Sequence, residues 1–336
     1  MNFTRWIFIN ILIFSAVLII SCGQSVKKQP PANEGSADWQ YFGLSSPGET
    51  PQMFSPEIIS TNKNERDFTI SPAGNIMFYS MVLPAKNFNV VLYLNFDGFF
   101  WSEPEVARFS GQYDDLEPSY SPDGNKLFFI SKRPVGNREK SDYDIWYIEK
   151  TENGWSAPKN FGAPVNTEKD EYYPSMAANG NLYFTTKNDS SGSEDIYISR
   201  FENGSYIQPE SLGDAINTDL FEFNAYIAPD ESYLIFSSWG REDDLGSGDL
   251  YIAYRNADGS WNAAKNMGGT INSDRLDYCP FVTHDGQYLF YTSQRENKDF
   301  KTKTRKKMIN IHQMANAIDN GLGNIYWIEF DKDAWR

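Results

Sequence analysis

Cysteine and histidine are scarce in this chain of 336 residues, and each scarcity removes a class of chemistry. The sequence contains only Cys22 and Cys279, and only two histidines, His284 and His312. Two cysteines allow at most one disulfide, so the fold must rest on its hydrophobic core. Two histidines provide little material for a multi-histidine metal site or for a serine–histidine catalytic pair.

Two common catalytic motifs are also missing. The sequence has no Gly-x-Ser-x-Gly nucleophile elbow and no Ser-x-Asp-x-Gly-x-x-Trp box of the sialidase type. Acidic residues are plentiful, however, and a carboxylate pair could still perform glycosidase or lyase chemistry. The excess of acidic residues gives a formal net charge of −15, which argues against nucleic acid or an anionic membrane surface as a partner.

The N-terminus predicts export of the chain. Trp6 to Ile20 is a mostly apolar run that is shorter than the roughly 20 residues a membrane span needs, so residues 1–21 are interpreted as a signal peptide. The sequence Ile19-Ile20-Ser21-Cys22 resembles a bacterial lipobox, which implies cleavage before Cys22 and lipidation of that residue. The alternative is a plain signal peptide with an incidental cysteine. Residues 22–38 have the composition of a disordered tether.

A repeat of about fifty residues occupies the rest of the chain. Its first landmark is a turn like Ser-Pro-Asp-Gly, and its second is an aromatic strand such as Asp144-Ile145-Trp146-Tyr147-Ile148. Its third is a glycine turn that leads into an aromatic residue, as in Asn153-Gly154-Trp155. The fourth residues of the five turns are Gly74, Gly124, Gly180, Glu231 and Gly286, separated by 50, 56, 51 and 55 residues.

Each repeat predicts four short strands joined by tight turns, because Asn-Gly and Asp-Gly supply the positive φ that hairpins require. Such a unit repeated radially is the blade of a β-propeller. We therefore predict an all-β propeller of five four-stranded antiparallel blades over residues 39–336, or six blades if residues 38–52 form more than a lead-in. Phe54 to Thr61 aligns with Trp155 to Thr167, which predicts that the N-terminal segment supplies the last outer strand and closes the ring.

These motifs resemble a known family. The Ser121-Pro122-Asp123-Gly124 turn, the Leu127 to Ser131 strand and the Asp144 to Ile148 strand are similar to the TolB-type, WD40-like (PD40) propeller repeat. Trp155-Ser156-Ala157-Pro158 and Asn266 to Asn272 resemble segments of propeller lipoproteins from Bacteroidetes-type bacteria. The resemblance covers roughly residues 53–330 and implies the fold and an envelope location, whereas propellers host unrelated activities.

An acidic residue recurs seven positions before the second residue of every turn. Each is predicted to start a strand lining the central channel, so that five carboxylates approach one mouth of it. One interpretation is a site for Ca²⁺, Mg²⁺ or a cationic ligand. The other is that each carboxylate caps backbone N–H groups or pairs with an arginine or lysine of a neighbouring blade, such as Arg133, Lys187, Arg241 or Arg295. The five residues are Glu65, Asp115, Glu171, Glu222 and Asp277.

Two further features depart from the repeat. Trp239 and Phe99-Phe100 lie outside the repeated aromatic positions and are candidates for stacking on a ligand, with packing between blades as the alternative. An insertion at 296–322 delays the fifth aromatic strand and contains the basic run Lys301 to Lys307. This run is interpreted as a solvated loop or as a docking element for an acidic partner, and Met308 to Ile318 could form a short helix.

The sequence thus predicts a lipid-anchored β-propeller of the cell envelope that acts as a binding or scaffold module for a protein or glycan partner. We expect no nucleic-acid partner, no cofactor other than Ca²⁺ or Mg²⁺, and membrane contact through the lipid anchor alone. The alternative is a carbohydrate-active hydrolase or lyase using carboxylates at the channel mouth. Gly23 to Lys28 lack the acidic run that resembles a surface-export signal, which favours the periplasmic face of the outer membrane over the cell surface.

Overall fold

The computed structural model describes residues 41–84, 88–190, 192–301 and 303–336. The predicted signal peptide 1–21, Cys22 and the tether 22–38 lie outside the described residues. The described chain confirms the predicted fold class: five four-stranded antiparallel blades form a β-propeller. No sixth blade exists among the described residues, because residues 52–53 add a strand to the fifth blade instead.

In every blade, consecutive strands pair from the channel outward. The innermost strands are Asn64–Ile70, Asp115–Tyr120, Glu171–Met176, Phe221–Ile227 and Asp277–Val282. The second strands are Ile76–Val82, Lys126–Ser131, Leu182–Lys187, Tyr233–Trp239 and Tyr288–Ser293. The third strands are Asn89–Asn95, Asp144–Thr151, Glu194–Ser199, Asp249–Tyr254 and Asn324–Glu329. The outer strands are Glu105–Val106, Lys159–Asn160, Glu210–Ser211, Lys265–Asn266 and Gln52–Met53.

A few elements lie outside this plan. Gly154–Trp155 pairs with the end of the third strand of blade 2, and Phe201–Glu202 forms a hairpin with Ser205–Tyr206 in blade 3. In the insertion, Lys298–Lys301 is a turn of 3₁₀-helix and Met308–Asn316 is an α-helix, close to the short helix that the sequence predicted. Among the described residues, none of the helices has the length and hydrophobicity to cross a membrane.

The ring is closed by the N-terminal strand, as predicted. Gln52 pairs with Trp327 and Met53 with Tyr326, so the outer strand of blade 5 comes from the beginning of the domain. The observed strand lies just before the segment that the sequence alignment used. The sequence alignment matched Phe54 with Trp155, but the structure makes Phe54 equivalent to Phe161. The Phe54 N–H donates to Ile325 O at 2.8 Å, just as the Phe161 N–H donates to Ile145 O. The start of the alignment was therefore displaced by several residues.

The asparagine that recurs near the end of blades 2, 3 and 4 has a structural role. Its side-chain amide both accepts from the N–H and donates to the carbonyl of one residue in the third strand: Asn166 does so with Ile145, and Asn272 with Leu250. In blade 5, the Ser60 hydroxyl makes the same two bonds with Ile325. Because this side chain satisfies an otherwise unpaired stretch of strand, it extends the short outer strand.

Every innermost strand contains a β-bulge at the same place. The pairing register shifts there in all five blades, and the residue in the bulge has a left-handed backbone with φ between 48° and 62°. A non-glycine residue in that region costs about 1 kcal/mol or more, so the surrounding contacts must compensate. The five residues are Asp67, Glu117, Tyr173, Asn224 and Cys279.

A hydroxyl from the preceding blade binds the N–H of most of these bulges. Ser80 in blade 1 accepts from the N–H of Glu117 in blade 2 at 3.0 Å, and Thr185 in blade 3 accepts from Asn224 in blade 4 at 3.1 Å. Blade 2 has the apolar Ile130 at this position, and there the Glu117 carboxylate accepts from the Tyr173 N–H instead, at 2.6 Å. These bonds join neighbouring blades around the channel.

Candidate functional site at the channel mouth

The five predicted carboxylates all lie at the start of the innermost strands, and all are fully buried. They are directed towards the polypeptide that enters each blade. Four of them accept both a backbone N–H and a hydroxyl hydrogen bond from a Thr or Ser four residues earlier. These pairs are Thr61 with Glu65, Thr167 with Glu171, Thr218 with Glu222, and Ser273 with Asp277.

Three of the carboxylates form ion pairs with an arginine from the loop that follows the second strand of the same blade, and not of a neighbouring blade as the sequence predicted. Arg133 Nη2 lies 2.6 Å from Asp115 Oδ1, and the Arg241 and Arg295 guanidinium groups lie 2.9 Å and 3.3 Å from Glu222 and Asp277. Each arginine also donates to a backbone carbonyl of the preceding loop. In blades 2, 4 and 5, the carboxylate, the arginine and the loop therefore form a closed polar cluster.

Burial raises the pKa of four of the five carboxyl groups. It raises the pKa of Glu171 to about 8, with the Thr167 hydrogen bonds opposing, and Glu171 has no arginine partner. It also raises the pKa values of Glu65, Asp115 and Asp277, where hydroxyl or arginine contacts oppose it. Over the described residues, no group of three or more His, Cys, Asp or Glu side chains is arranged to hold a metal ion.

The centre of the ring holds a second polar cluster that the sequence analysis did not identify. Arg66 donates to Asp67 Oδ1 at 2.7 Å, to Glu117 Oε1 at 2.7 Å and to Cys279 Sγ at 3.3 Å. Its guanidinium carbon also lies 4.9 Å from the centroid of the Tyr278 ring. One cation thus connects the innermost strands of blades 1, 2 and 5.

Further contacts join blades that are not neighbours. The Asn224 amide donates to Glu117 Oε1 at 3.4 Å, and the Tyr173 hydroxyl donates to Pro280 O at 3.0 Å. These bonds link blade 2 with blade 4 and blade 3 with blade 5, so side chains bridge the middle of the ring. Burial raises the pKa of Glu117 to about 7 although Arg66 opposes the shift. Burial also raises the pKa of the Cys279 thiol, as expected for a buried cysteine.

An exposed aromatic pair lies on the same face as the starts of the innermost strands. Phe221 immediately precedes the buried Glu222 and pairs in register with Trp239 across the first two strands of blade 4. Their ring centroids are 5.3 Å apart, yet Trp239 keeps 52% of its surface exposed and Phe221 keeps 36%. Trp239 was predicted as a ligand-stacking residue, and the structure places it beside the channel mouth.

The loop after Trp239 is polar and held in place. The Gly240 N–H donates to Asp244 Oδ2 at 2.6 Å, and the Tyr251 hydroxyl lies 2.7 Å from both Asp243 Oδ1 and Asp244 Oδ1. Backbone carbonyls of Ser273 and Arg275 lie so close to Gly246 that a Cβ there would meet them at 2.3 to 2.7 Å. The exposed rings therefore stand on a rigid support with carboxylates nearby.

The insertion between the second and third strands of blade 5 reaches the same face. Its helix exposes Met308, Ile309 and Ile311, with 66%, 61% and 43% of their surfaces accessible. Arg275 in the preceding loop pairs with Glu296 at the start of the insertion, with Nη2 and Oε1 2.5 Å apart. The basic run is mostly exposed.

The central cluster left one signal in the sequence. Each bulge residue stands two positions after the repeated carboxylate, but the five residue types are unlike one another. Repetition identifies positions that every blade needs, so it identified the carboxylates and passed over the bulges. An arginine immediately before one of them, Arg66, gave the only hint of a charge cluster.

Comparisons with known proteins support the fold alone. No family matches the sequence, and no curated protein is similar to it. Among solved structures, a glycoside hydrolase is similar with a TM-score of 0.51 at 9% identity, covering 90% of this chain and 98% of that one. At that identity the likeness establishes the β-propeller architecture and no activity.

Two other solved structures are similar with lower TM-scores. The catalytic domain of a GH62 α-L-arabinofuranosidase from Coprinopsis cinerea gives 0.49 at 10% identity, covering 86% of this chain and all of that one. TolB from Acinetobacter baumannii gives 0.44 at 15% identity and covers 80% of this chain. The chain spans about half of that TolB protein, 55% of its length.

Proposed function

We propose that this protein is a binding module of the cell envelope that recognises a protein or glycan partner with the face at which its innermost strands begin. The observation that carries the proposal is the exposed pair of Trp239 and Phe221 on that face. Large aromatic side chains contribute strongly to contacts with partners, because they offer a wide rigid surface at small entropic cost.

The state of the polar groups beneath this face supports binding over catalysis. Asp115, Glu222 and Asp277 are buried and paired with arginines, and Glu65 and Glu171 are bound by hydroxyl and backbone groups. A carboxylate that serves as a general acid or base must reach a substrate proton. These carboxylates instead use their oxygens to hold the loops that carry the binding face.

A carbohydrate-active enzyme is the second candidate. The observation that favours it is the pair of carboxylates that share Arg66, because Glu117 has a pKa raised to about 7 by burial and Asp67 lies beside it. A carboxyl group with a pKa near neutrality can serve as a general acid. For this candidate, aryl glycosides should be hydrolysed by the protein and left intact by Glu117→Gln.

The location and anchoring complete the proposal. The similarity of Ile19 to Cys22 to a lipobox supports a lipid anchor on Cys22, with the propeller on the periplasmic face of the outer membrane. The likeness of the repeats to those of TolB-type envelope propellers points to the same compartment. Labelling with a radioactive fatty acid, lost on Cys22→Ala, tests the anchor.

Replacing Trp239 tests the binding face. Trp239→Ala should weaken binding at least about tenfold, as expected for an aromatic residue at the centre of an interface, and should leave the thermal unfolding temperature nearly unchanged because the ring is exposed. The matched control is Phe99→Ala. Phe99 is 61% exposed and lies in the turn between the third and outer strands of blade 1, at the opposite end of the blade.

Two measurements cover the two kinds of partner. Thermal shifts with a panel of oligosaccharides report a glycan, and a photo-crosslinking amino acid at position 239 in cells reports a protein. Binding that Phe99→Ala abolishes and Trp239→Ala leaves intact would contradict the proposed face. The absence of both a thermal shift and a crosslink would contradict the proposed function.

A further inference from the structure

A groove of about 600 Å³ lies between blades 1 and 2, away from the channel. Its floor contains the buried residues Phe78, Ala107 and Ile148. Its rim is formed by the end of the third strand of blade 1 and by the turn from Asn153 to Pro158 in blade 2. The volume falls within the range of about 300 to 1,000 Å³ that is typical of small-molecule sites.

The groove exists because one blade departs from the repeat. In four blades the residue after the outer strand is large, and the turn aromatic of the next blade packs near it. Tyr206 packs on Phe161 with ring centroids 4.7 Å apart, and the Trp335 indole donates to Met267 O at 3.0 Å. The equivalent residues are Phe54, Phe161, Leu212 and Met267, and in blade 1 the position is Ala107.

The small side chain of Ala107 leaves the space beneath the next turn aromatic, Trp155, unfilled. A cavity of this kind is destabilising, because the surrounding atoms lose their packing partners. A larger residue at the same position is compatible with the fold, since four blades carry one. A groove that lowers stability, at a position where the other blades have a large residue, is a candidate binding site.

The lining defines the chemistry of a ligand. Tyr93, Phe109 and Trp155 supply aromatic walls, and Phe109 is fixed by stacking on Phe129 with centroids 4.4 Å apart. Among the described residues of the lining, the single charged side chain is Arg108, which is exposed at the rim. A guanidinium at the edge of an aromatic groove can bind a carboxylate through two hydrogen bonds.

We propose that this groove is a binding site for a small molecule with a ring-shaped apolar body and one carboxylate. The ring lies between the aromatic walls over Ala107, and the carboxylate binds Arg108. Glu105, also near the rim, accepts the Tyr93 hydroxyl at 3.1 Å, which holds that wall in place and disfavours a second negative charge on the ligand. This site is independent of the face proposed to bind a macromolecular partner.

Titration calorimetry on the purified full chain with indole-3-acetate and with its neutral analogue indole-3-acetamide tests the site. We expect saturable binding of one molecule, with the carboxylate bound about tenfold more tightly than the amide, as a charge-assisted pair predicts. Arg108→Gln should reduce the affinity for the carboxylate to that for the amide and leave the amide affinity unchanged. Because Arg108 is exposed, this variant should fold normally.

A second experiment fills the groove with a larger side chain. Ala107→Phe places in blade 1 the residue found at 161 in blade 2, and it should abolish binding of both probes without lowering the unfolding temperature. Met267→Phe, at the equivalent position of blade 4, is the matched control and should bind both probes normally.

Two results would overturn the proposal. One is the absence of saturable binding of either probe up to about 10 mM, a concentration that detects even weak complexes. The other is binding that persists in both Ala107→Phe and Arg108→Gln. Should Ala107→Phe fail to fold, the comparison of the two probes on Arg108→Gln decides alone.

Discussion

The carboxyl group of Glu117 should make the stability of this propeller depend on pH in a direction opposite to that of an ordinary ion-paired acid. Burial raises its pKa from 4.5 to about 7 even with Arg66 beside it. Between these two values the folded state holds the proton more tightly than the unfolded chain does. The contribution of Glu117 to stability is therefore complete below pH 4.5 and is lost as the pH rises through about 7.

The size of the effect follows from the shift. Between pH 5 and pH 8, a group with these two pKa values changes the free energy of unfolding by about 2 to 3 kcal/mol. Other buried acids titrate in the same range, so the informative quantity is the difference between the wild type and Glu117→Gln. Glutamine keeps an oxygen for the Tyr173 N–H and cannot ionise.

Urea unfolding followed by tryptophan fluorescence at pH 5, 6, 7 and 8 gives this difference. Relative to Glu117→Gln, the wild type should lose about 2 to 3 kcal/mol of unfolding free energy on going from pH 5 to pH 8. Glu231→Gln is the control. Burial raises the pKa of Glu231, but hydrogen bonds from Asn181, Tyr183 and Arg255 outweigh it and lower the pKa below 4.5. Its contribution is lost only as the pH falls below about 4.5, so the difference between the wild type and Glu231→Gln should stay nearly constant from pH 5 to pH 8.

Parallel profiles for the wild type and Glu117→Gln would refute the account of the central cluster. They would mean that Arg66 compensates the burial of Glu117 fully, so that the carboxyl group is ionised in both states. A wild type that is less stable at pH 5 than at pH 8, relative to Glu117→Gln, would show the opposite sign and would also refute the account.

Two further changes have defined costs. Arg133→Met leaves Asp115 buried without its cation and should lower the free energy of unfolding, measured in urea, by about 3 to 5 kcal/mol. Arg138→Met breaks an exposed ion pair and should lower it by less than about 1 kcal/mol. Equal losses for the two variants would contradict the role of burial. Gly124→Ala should lower the unfolding temperature more than Gly136→Ala. Both glycines have a left-handed φ near 60° to 70°, but a Cβ at 124 would lie 2.8 Å from the proline ring of the blade 1 turn and one at 136 would meet nothing within 4 Å.

The fold could be predicted from the sequence because its signals are local and repeated. A Gly124-type turn requires positive φ, and a strand such as Asp144 to Thr151 requires a half-buried pleated surface, so each landmark fixes one element. Five copies in the same order then fix the architecture. The weakest part was the closing strand, because Gln52–Met53 has only two residues and no sequence signature of its own.

The candidate sites could be predicted only in part. The five carboxylates and the arginines that pair with three of them could be proposed because they recur in the repeat. The central cluster could not, since a contact such as that of Arg66 with Glu117 joins residues 51 positions apart. The groove at Ala107 could not be found, because it consists of the absence of a side chain. Only the equivalence of Ala107 with Phe161 in three dimensions reveals it.

A ring of equal blades has a physical limit on what it can recognise. Five identical contacts around an axis distinguish poorly between ligands that lack five-fold symmetry, so selectivity must come from positions where the blades differ. Trp239 is such a position: in the other four blades the equivalent residues are Val82, Lys132, Lys187 and Gln294. Ala107 is another, since the other four blades carry a large apolar residue.

The two polar clusters near the channel differ in the same way. The carboxylates at the strand starts recur in every blade and are bound locally, which is the pattern of residues that build the repeat. The bulge residues share a backbone conformation but differ in chemistry, and Arg66 occurs in one blade only. Because the strained backbone conformation recurs in five copies with five different side chains, we attribute the conformation to the architecture of the ring. The side chains at these positions can then differ from blade to blade and serve a function. We therefore expect substitutions at the repeated carboxylates to lower stability in all blades alike. Substitutions at Trp239 and Arg108 should alter binding and leave stability unchanged.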